Sequence, residues 1–476
     1  MTTATDSPPG FSGRQRLILL LLLGSGFLFA ADYSLLNVAL PKVGSGVGLG
    51  LTGLPWIGAA YTLPAAGFML MFGRLADLYG RRRLFLYGMI LLAGASLLGG
   101  FATNPEMLLT ARVLQGTSTS MALPAALSLI TTTFAEGGLR DRALGLNGAI
   151  LSGGFTAGAL VGGILVSLLS WRAGFFVNVP FAIIILLVTP SLVTESKAPD
   201  RVRIDLPGAV TVTGGLLALV YAVVQKNIIT AVVGVVLLAA FWVIEGRSSA
   251  PLAPVHVLRR PTVRWGNFAG LVTFSMETGM IFLMTLYLQD VLKFAPVITG
   301  LIFGVPGLAA VFAGPIAGRI LGRFDGRKVI TVALSLQALM ILPLAFLGSD
   351  RLVLAVLIPA LFLGFFVHVI VIVSYTVIGT SGLPNEEQGL ATGLASLTQQ
   401  VALTVGAPVM VSIAATQSSS LTGTHLAIGV NVAVILVSAA AIWFGLRPRT
   451  ERTGPAAQTP GPAAKGNAEE LAASLD

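Results

Sequence analysis

The chain has 476 residues, a net charge of +9 and a mean hydropathy of +0.88, with 55% of residues hydrophobic and only 10% charged. That composition excludes an ordinary water-soluble globule, and the absence of cysteine excludes disulfides, thiolate metal sites and thiol chemistry. The excess of 29 Lys and Arg over 20 Asp and Glu reads as basic loops kept at one membrane face, not as a nucleic-acid footprint.

Apolar runs long enough to cross a hydrocarbon core, about 20 residues each, recur along the sequence and predict an all-α polytopic membrane protein of fourteen spans. Residues 1–15 form a cytoplasmic tail. The first span, 16–40, is too long for a cleaved signal peptide and carries Asp32 and Asn37. Spans at 53–73, 84–102, 107–134, 143–169 and 174–194 complete a six-helix bundle over 16–205. Two additional linking spans, 206–225 and 227–245, occupy 206–246. A cytoplasmic linker, 247–264, leads to a second six-helix bundle over 265–446, with spans at 265–289, 297–321, 329–348, 351–379, 389–415 and 425–446. The Pro-, Gly- and Ala-rich tail 447–476 is expected to be disordered and cytoplasmic.

The basic residues test this count. With a cytoplasmic N-terminus, 23 of the 29 Lys and Arg fall in cytoplasmic segments, five fall outside, and Arg112 lies within a span. A bias this strong supports an even number of spans with both termini inside.

Between spans two and three the chain reads "GRLADLYGRRR" (73–83), and a weaker copy, "GRILGRFDGRK" (318–328), follows span ten. A repeat at this distance suggests two related halves. Gly73 and Gly80 permit close contact and tight turning. Asp77 is expected at the positive end of a neighbouring helix, and Arg81 and its neighbours at a carboxylate or a helix C-terminus. Positive-inside topology alone would need only the arginines, so the loop reads as a conformational lock.

Ionisable groups within spans cost about 2.5–3.5 kcal/mol on insertion scales, which makes each a functional candidate. Asp32 lies roughly 24 Å from the inner end of span one at 1.5 Å per residue, and Arg112 roughly 8 Å from the outer end of span four. In a core about 30 Å thick these depths nearly match. The two are therefore expected to pair, either as a proton-coupling site or as a static ion pair. Glu277 sits near mid-membrane in span nine, with Met276, Met280 and Met284 spaced along the helix beside it. It is a second proton site or a cation-binding carboxylate, and structural pairing is the rival. Tyr61, Gln337, Gln399 and Gln400 are further cavity candidates, with bonding to a neighbouring helix as the bland alternative. Gly154, Gly158 and Gly162 stripe one face of span five, which suits either a moving bundle or tight packing. His256, His368 and His425 have no metal-ligand spacing.

The 73–83 loop, with Gly73, Asp77, Gly80 and Arg81, resembles the loop motif of the major facilitator superfamily. "ADYSLLNVALP" (31–41), "RVLQG" (112–116) with Gln115 and Gly116, and "GGFTAGALVGG" (153–163) resemble span motifs of its fourteen-span drug:proton antiporters. The usual Gly-Pro pair of the last motif is here Gly158-Ala159, which removes the basis for a proline kink. The resemblance covers about residues 16–446. It implies two six-helix bundles around a central cavity, in which Asn37 and Gln115 also take part.

The expected function is efflux of amphipathic or cationic small molecules, a drug or an antibiotic, by alternating access. Inward proton flow is the energy source and no cofactor is needed, since no ATP-binding P-loop occurs. An ion-coupled importer of a metabolite is the alternative within the class. A polytopic membrane enzyme would need a catalytic loop that the sequence does not offer, and a signalling scaffold would need a folded soluble domain. The chain is expected to be monomeric in a bacterial inner membrane, contacting lipid, protons and cargo, with no metal and no nucleic acid. Its richness in Ala and Gly, with more Arg than Lys, fits a high-GC genome and a self-made antibiotic as cargo.

Overall fold

The computed structural model describes residues 11–50, 53–134, 138–196, 205–225, 227–248, 251, 255–381 and 385–446. The expected disordered tail 447–476, most of the N-terminal tail, and basic residues such as Lys197, Arg201 and Arg203 lie outside the described residues. What is described is helical throughout the expected spans.

The helix α1 (Gly13–Val47) starts at a capping box in which the Ser12 hydroxyl accepts from Gln15 N while the Gln15 side chain accepts from Ser12 N. It is followed by α2 (Leu54–Gly67), α3 (Met69–Tyr79), α4 (Arg81–Gly100) and α5 (Pro105–Thr133). At the start of α5, Asn104 caps and Pro105 takes the first turn, where its missing N–H costs nothing. Then come α6 (Gly138–Leu168), α7 (Trp171–Phe176) and α8 (Asn178–Leu192), which complete the first bundle. The pair α9 (Leu206–Gln225) and α10 (Ile228–Arg247) packs as a hairpin, and the short α11 (Val255–Leu258) leads to the second bundle. That bundle holds α12 (Pro261–Leu286), α13 (Pro296–Leu321), α14 (Gly326–Ile341), α15 (Leu354–Thr380), α16 (Asn385–Ala414) and α17 (Ser420–Gly445).

The expected count of fourteen spans is not reached by length and hydropathy alone. By those measures eleven helices among the described residues can cross a membrane, or twelve if α2 and α3 form one bent span. The two others, in α6 and α9, contribute apolar stretches at Gly153–Leu168 and Leu206–Leu219, which are shorter than 18 residues. Large apolar side chains such as Leu187, Ile228 and Val437 face outward, as lipid-facing surfaces require.

The 52° bend between α2 and α3 follows Pro64 and Gly67, residues that interrupt a helix ladder. At the break Thr213 of α9 donates to the Gly67 carbonyl at 2.6 Å. A linking helix thus contacts the break in the first bundle.

Each bundle has its own apolar core. A third cluster joins them at one end, where Leu36 and Leu40 of α1 share a core with Phe282 of α12 and Ala407 of α16. At that same end, which carries the connections after α1, α6 and α12, Gln289 donates to the Val38 carbonyl at 2.8 Å. Val297 N donates to the Ser167 hydroxyl at 3.0 Å. Here α6 and α13 approach through small residues: a Cβ on Gly163 would stand 2.7 Å from the Pro296 carbonyl, and one on Gly300 would strike Ala159. The two bundles are closed against each other at this end.

Candidate transport sites

Asp32 and Arg112 meet in the first bundle. Arg112 Nη1 donates to Asp32 Oδ2 at 2.7 Å, and both side chains are 1% exposed. The guanidinium is held from three further directions. Its Nε donates to the Ile57 carbonyl at 3.0 Å, Nη1 also donates to Gln115 Oε1 at 2.8 Å, and the ring of Tyr61 lies 4.4 Å beneath it. The other carboxylate oxygen, Asp32 Oδ1, accepts from Gln115 Nε2 at 3.2 Å and from Asn178 Nδ2. Gln115 Nε2 donates on to the Ser96 hydroxyl at 3.0 Å. Three side chains, Arg112, Gln115 and Asn178, meet the carboxylate, and through them the network reaches five helices (α1, α2, α4, α5 and α8). Such a network offsets the cost of holding the charged form of Asp32 out of water, and loss of that charge would weaken three contacts at once. Gln115 and Tyr61, expected along the cavity, stand in this network instead. Asn178 and Ser96 belong to it and were not singled out from the sequence.

Glu277 lies in the second bundle, beside a cavity that opens between the helices. Met276, Met280, Met284 and Gln337 line it, with Phe155 and Thr156 of the first bundle. The sequence had not flagged His368, whose Nε2 lies 2.9 Å from Glu277 Oε2. The carboxylate sits off the ring's N–H direction, so Nε2 makes no directed hydrogen bond. On its other side His368 Nδ1 is 3.3 Å from Gln337 Nε2, and Phe365 stacks on the ring. Asn37 lines a second, smaller space with Tyr33, Pro55 and Thr404, at the joint between the bundles. Gln399 and Gln400 are half-buried on α16 and line neither space.

The 73–83 loop is clamped mainly within its own bundle, while Arg74 Nη2 donates to the Pro251 carbonyl of the linker at 3.2 Å. Asp77 pairs with Arg81 one turn on, at 2.8 Å. The N-terminus of α4 is held by a different carboxylate, Glu195, which accepts from Arg82 N at 3.0 Å and Arg83 N at 3.2 Å. Gly80 has φ +112, and a Cβ there would sit 2.8 Å from the Glu195 carboxyl, so glycine is required twice over. Arg82 Nη1 donates to the Val193 carbonyl at the end of α8, at 3.0 Å. The repeat loop does the same: Arg327 Nε donates to the Trp443 carbonyl near the end of α17 at 2.8 Å, its guanidinium 3.9 Å above the Trp443 ring. Each loop ties its bundle's second hairpin to that bundle's last helix. Gly73 lies on α3 near Pro124. Gly154, Gly158 and Gly162 face Phe27, Ala31 and Leu35 of α1 in the same bundle, beside Asp32.

The family model described as the Major Facilitator Superfamily matches residues 22–407. The chain belongs to the Major Facilitator Superfamily. It is 35% identical to a puromycin resistance protein of Streptomyces alboniger, over 93% of this chain and 94% of that protein. It is 34% identical to a cephamycin export protein of Amycolatopsis lactamdurans, over 84% and 85%. A multidrug resistance protein of Mycobacterium tuberculosis matches at 32%, over 87% and 78%. Among solved structures, a POT family transporter in complex with a thioalcohol-conjugated peptide superposes with a TM-score of 0.69 at 13% identity, covering 90% of this chain and 96% of that one. The human organic anion transporter MFSD10 gives 0.64 at 18%, covering 91% and 100%. At these identities the structures establish the fold alone. As a member of this superfamily the protein is a multi-span membrane transporter of small molecules, not an enzyme.

Proposed function

We propose that the protein is a proton-coupled exporter that moves amphipathic or cationic small molecules, drugs or antibiotics, out of a bacterial cell. The observation that carries this is the Asp32 network: a buried carboxylate whose one charged partner among the described residues is Arg112, in a hydrogen-bond network that reaches five helices. Protonating Asp32 removes the attraction to Arg112 and frees the helices around it; deprotonation restores the clamp. Arg112 keeps its proton throughout, so the proton is exchanged at Asp32. The relatives named for puromycin resistance and cephamycin export support outward transport over uptake.

On this reading both termini are cytoplasmic, and the closed end of the bundles faces outward, so the structure is an inward-facing state. Cargo enters the cavity beside Glu277. Energy comes from the proton gradient without a cofactor, and a single chain suffices. Resistance profiling tests the reading: cells expressing the wild type should survive a panel of toxic amphiphiles at several-fold higher doses than cells expressing Asp32→Asn at equal membrane level. Equal resistance from the two would remove Asp32 from the mechanism.

A further inference from the structure

The helix α12 carries the cavity wall and the closed end in one piece. Met276, Met280 and Met284 line the cavity, and Phe282 and Leu286 join the apolar cluster between the bundles. Beyond Leu286 the ladder changes. Residues Tyr287–Val291 form a π-turn, in which Leu292 N donates to the Tyr287 carbonyl, five residues back, at 3.0 Å. A π-turn holds one residue more than the α-helical ladder would, and such turns occur mostly at functional sites. Phe294 N then donates to the Leu288 carbonyl at 2.9 Å. Lys293, just before it, sits at φ +58, the one positive-φ residue other than glycine among the described residues. This is the left-handed position that closes a helix, where glycine fits freely and lysine is strained.

Two side chains hold the strained turn. Tyr287 donates its hydroxyl to the Gly348 carbonyl at 2.6 Å, within the second bundle. Gln289 faces the other bundle and donates to the Val38 carbonyl of α1 at 2.8 Å, across the seam. Pro41 has no N–H for the Asn37 carbonyl, so the α1 ladder is weakened beside this contact. Relaxation of the turn to the ordinary i→i−4 pattern sheds one residue, which rotates the chain beyond it by about 100° and shifts it by about 1.5 Å. Gln289 lies inside the turn and takes part of that rotation, which carries its amide out of reach of Val38. The same change lets Lys293 leave the left-handed region. The closed end is therefore held under local strain, by a contact that the relaxed helix does not make.

We propose that this π-turn is the release of the gate: in its strained form it sets Gln289 on the Val38 carbonyl and keeps the bundles closed, and its relaxation to α-helix withdraws Gln289 and lets them part. Gln289 is a positioning residue for the closed state and lines neither cavity. The proposal rests on the exporter reading only for the direction in which the gate faces.

The test uses the full chain, which has no natural cysteine, with one introduced by Ala407→Cys in the buried cluster between the bundles. A membrane-impermeant maleimide labels that thiol when the end opens, and it is applied to spheroplasts from outside and to inverted vesicles from the cytoplasmic side. In spheroplasts Gln289→Leu should raise the labelling rate several-fold to about tenfold, the range that one hydrogen bond supplies. Deleting Asp290, an exposed member of the turn, removes the extra residue and should raise the rate to a similar degree with Gln289 still present. Lys293→Gly relieves the left-handed strain without opening the turn, and should lower the rate by roughly fivefold or more. Binding of a fluorescent hydrophobic amine in detergent checks the fold of each variant, and Lys293→Gly, at an exposed position, keeps the test decisive where the deletion does not fold. An unchanged rate in Gln289→Leu or in a folded deletion variant, or a faster one in Lys293→Gly, would overturn the proposal. The same order of rates in inverted vesicles and not in spheroplasts would support the release and overturn the outward placement of the closed end.

Discussion

At Arg112 the cost of burial is set by its partner. Arg112→Ala would strand the Asp32 carboxylate among neutral groups, and breaking such a buried pair costs about 3–5 kcal/mol. Adding Asp32→Asn removes the stranded charge, so the double variant should unfold at a higher temperature in detergent than Arg112→Ala alone. A double variant no more stable than the single would mean that packing, not charge, dominates the site. The pairing itself was legible in the sequence, because two charges in apolar helices at matching depth have few other ways to be neutralised. Ser96 and Asn178 were not legible, since an uncharged polar residue in a span fits many environments equally well. His368 has no metal-ligand spacing, yet an ionisable side chain amid a 27-residue apolar helix has the same claim to a role as Glu277. The rule that selects one selects the other.

At the scale of helices and loops, sequence periodicity locates the spans well but says little about their bends and clamps. Pro64 and Gly67 mark the break locally, but the hydroxyl that meets it there comes from α9, more than a hundred residues along the chain. Thr213→Val should therefore lower stability by about 1 kcal/mol and alter turnover while leaving cargo affinity alone. Unfolding curves and transport assays on one preparation separate the two effects. The 73–83 loop was legible as a cluster of charge contacts but not as to its partners. Asp77 was expected at a helix N-terminus, yet it is spent on Arg81, and Glu195 does the capping from beyond the sixth span. Glu195→Ala should cost about 1 kcal/mol or somewhat more. Asp77→Lys should depress turnover far more than cargo binding, because the loop touches no part of the cavity. Equal loss in both assays for Asp77→Lys would point to misfolding or to a direct role in binding.

For the whole molecule, composition was enough to indicate a polytopic helical membrane protein, because the bilayer admits so few architectures, while the two bundles were readable from the repeated loop and the family resemblance. The closed end was not legible. Nothing in the sequence of α6 distinguishes the glycines that face α1 from Gly163, which faces α13 in the other bundle. That seam must part if the bundles rock. The natural absence of cysteine makes a clean test available: Ser167→Cys with Val297→Cys, where the Ser167 hydroxyl lies 3.0 Å from the Val297 backbone nitrogen, should cross-link under oxidation and stop transport, with recovery on reduction. Full transport by the cross-linked protein would show that this end does not open.

The central claim is that one proton exchanged at Asp32 is coupled to each outward movement of cargo. Its most direct test is proton flux itself, in sealed proteoliposomes holding a pH-sensitive dye and no imposed gradient. A cargo gradient applied across the wild type should drive protons in the opposite direction, and Asp32→Asn should abolish that flux while still binding cargo in detergent. Cargo-driven proton flux at the wild-type rate in Asp32→Asn would contradict the account.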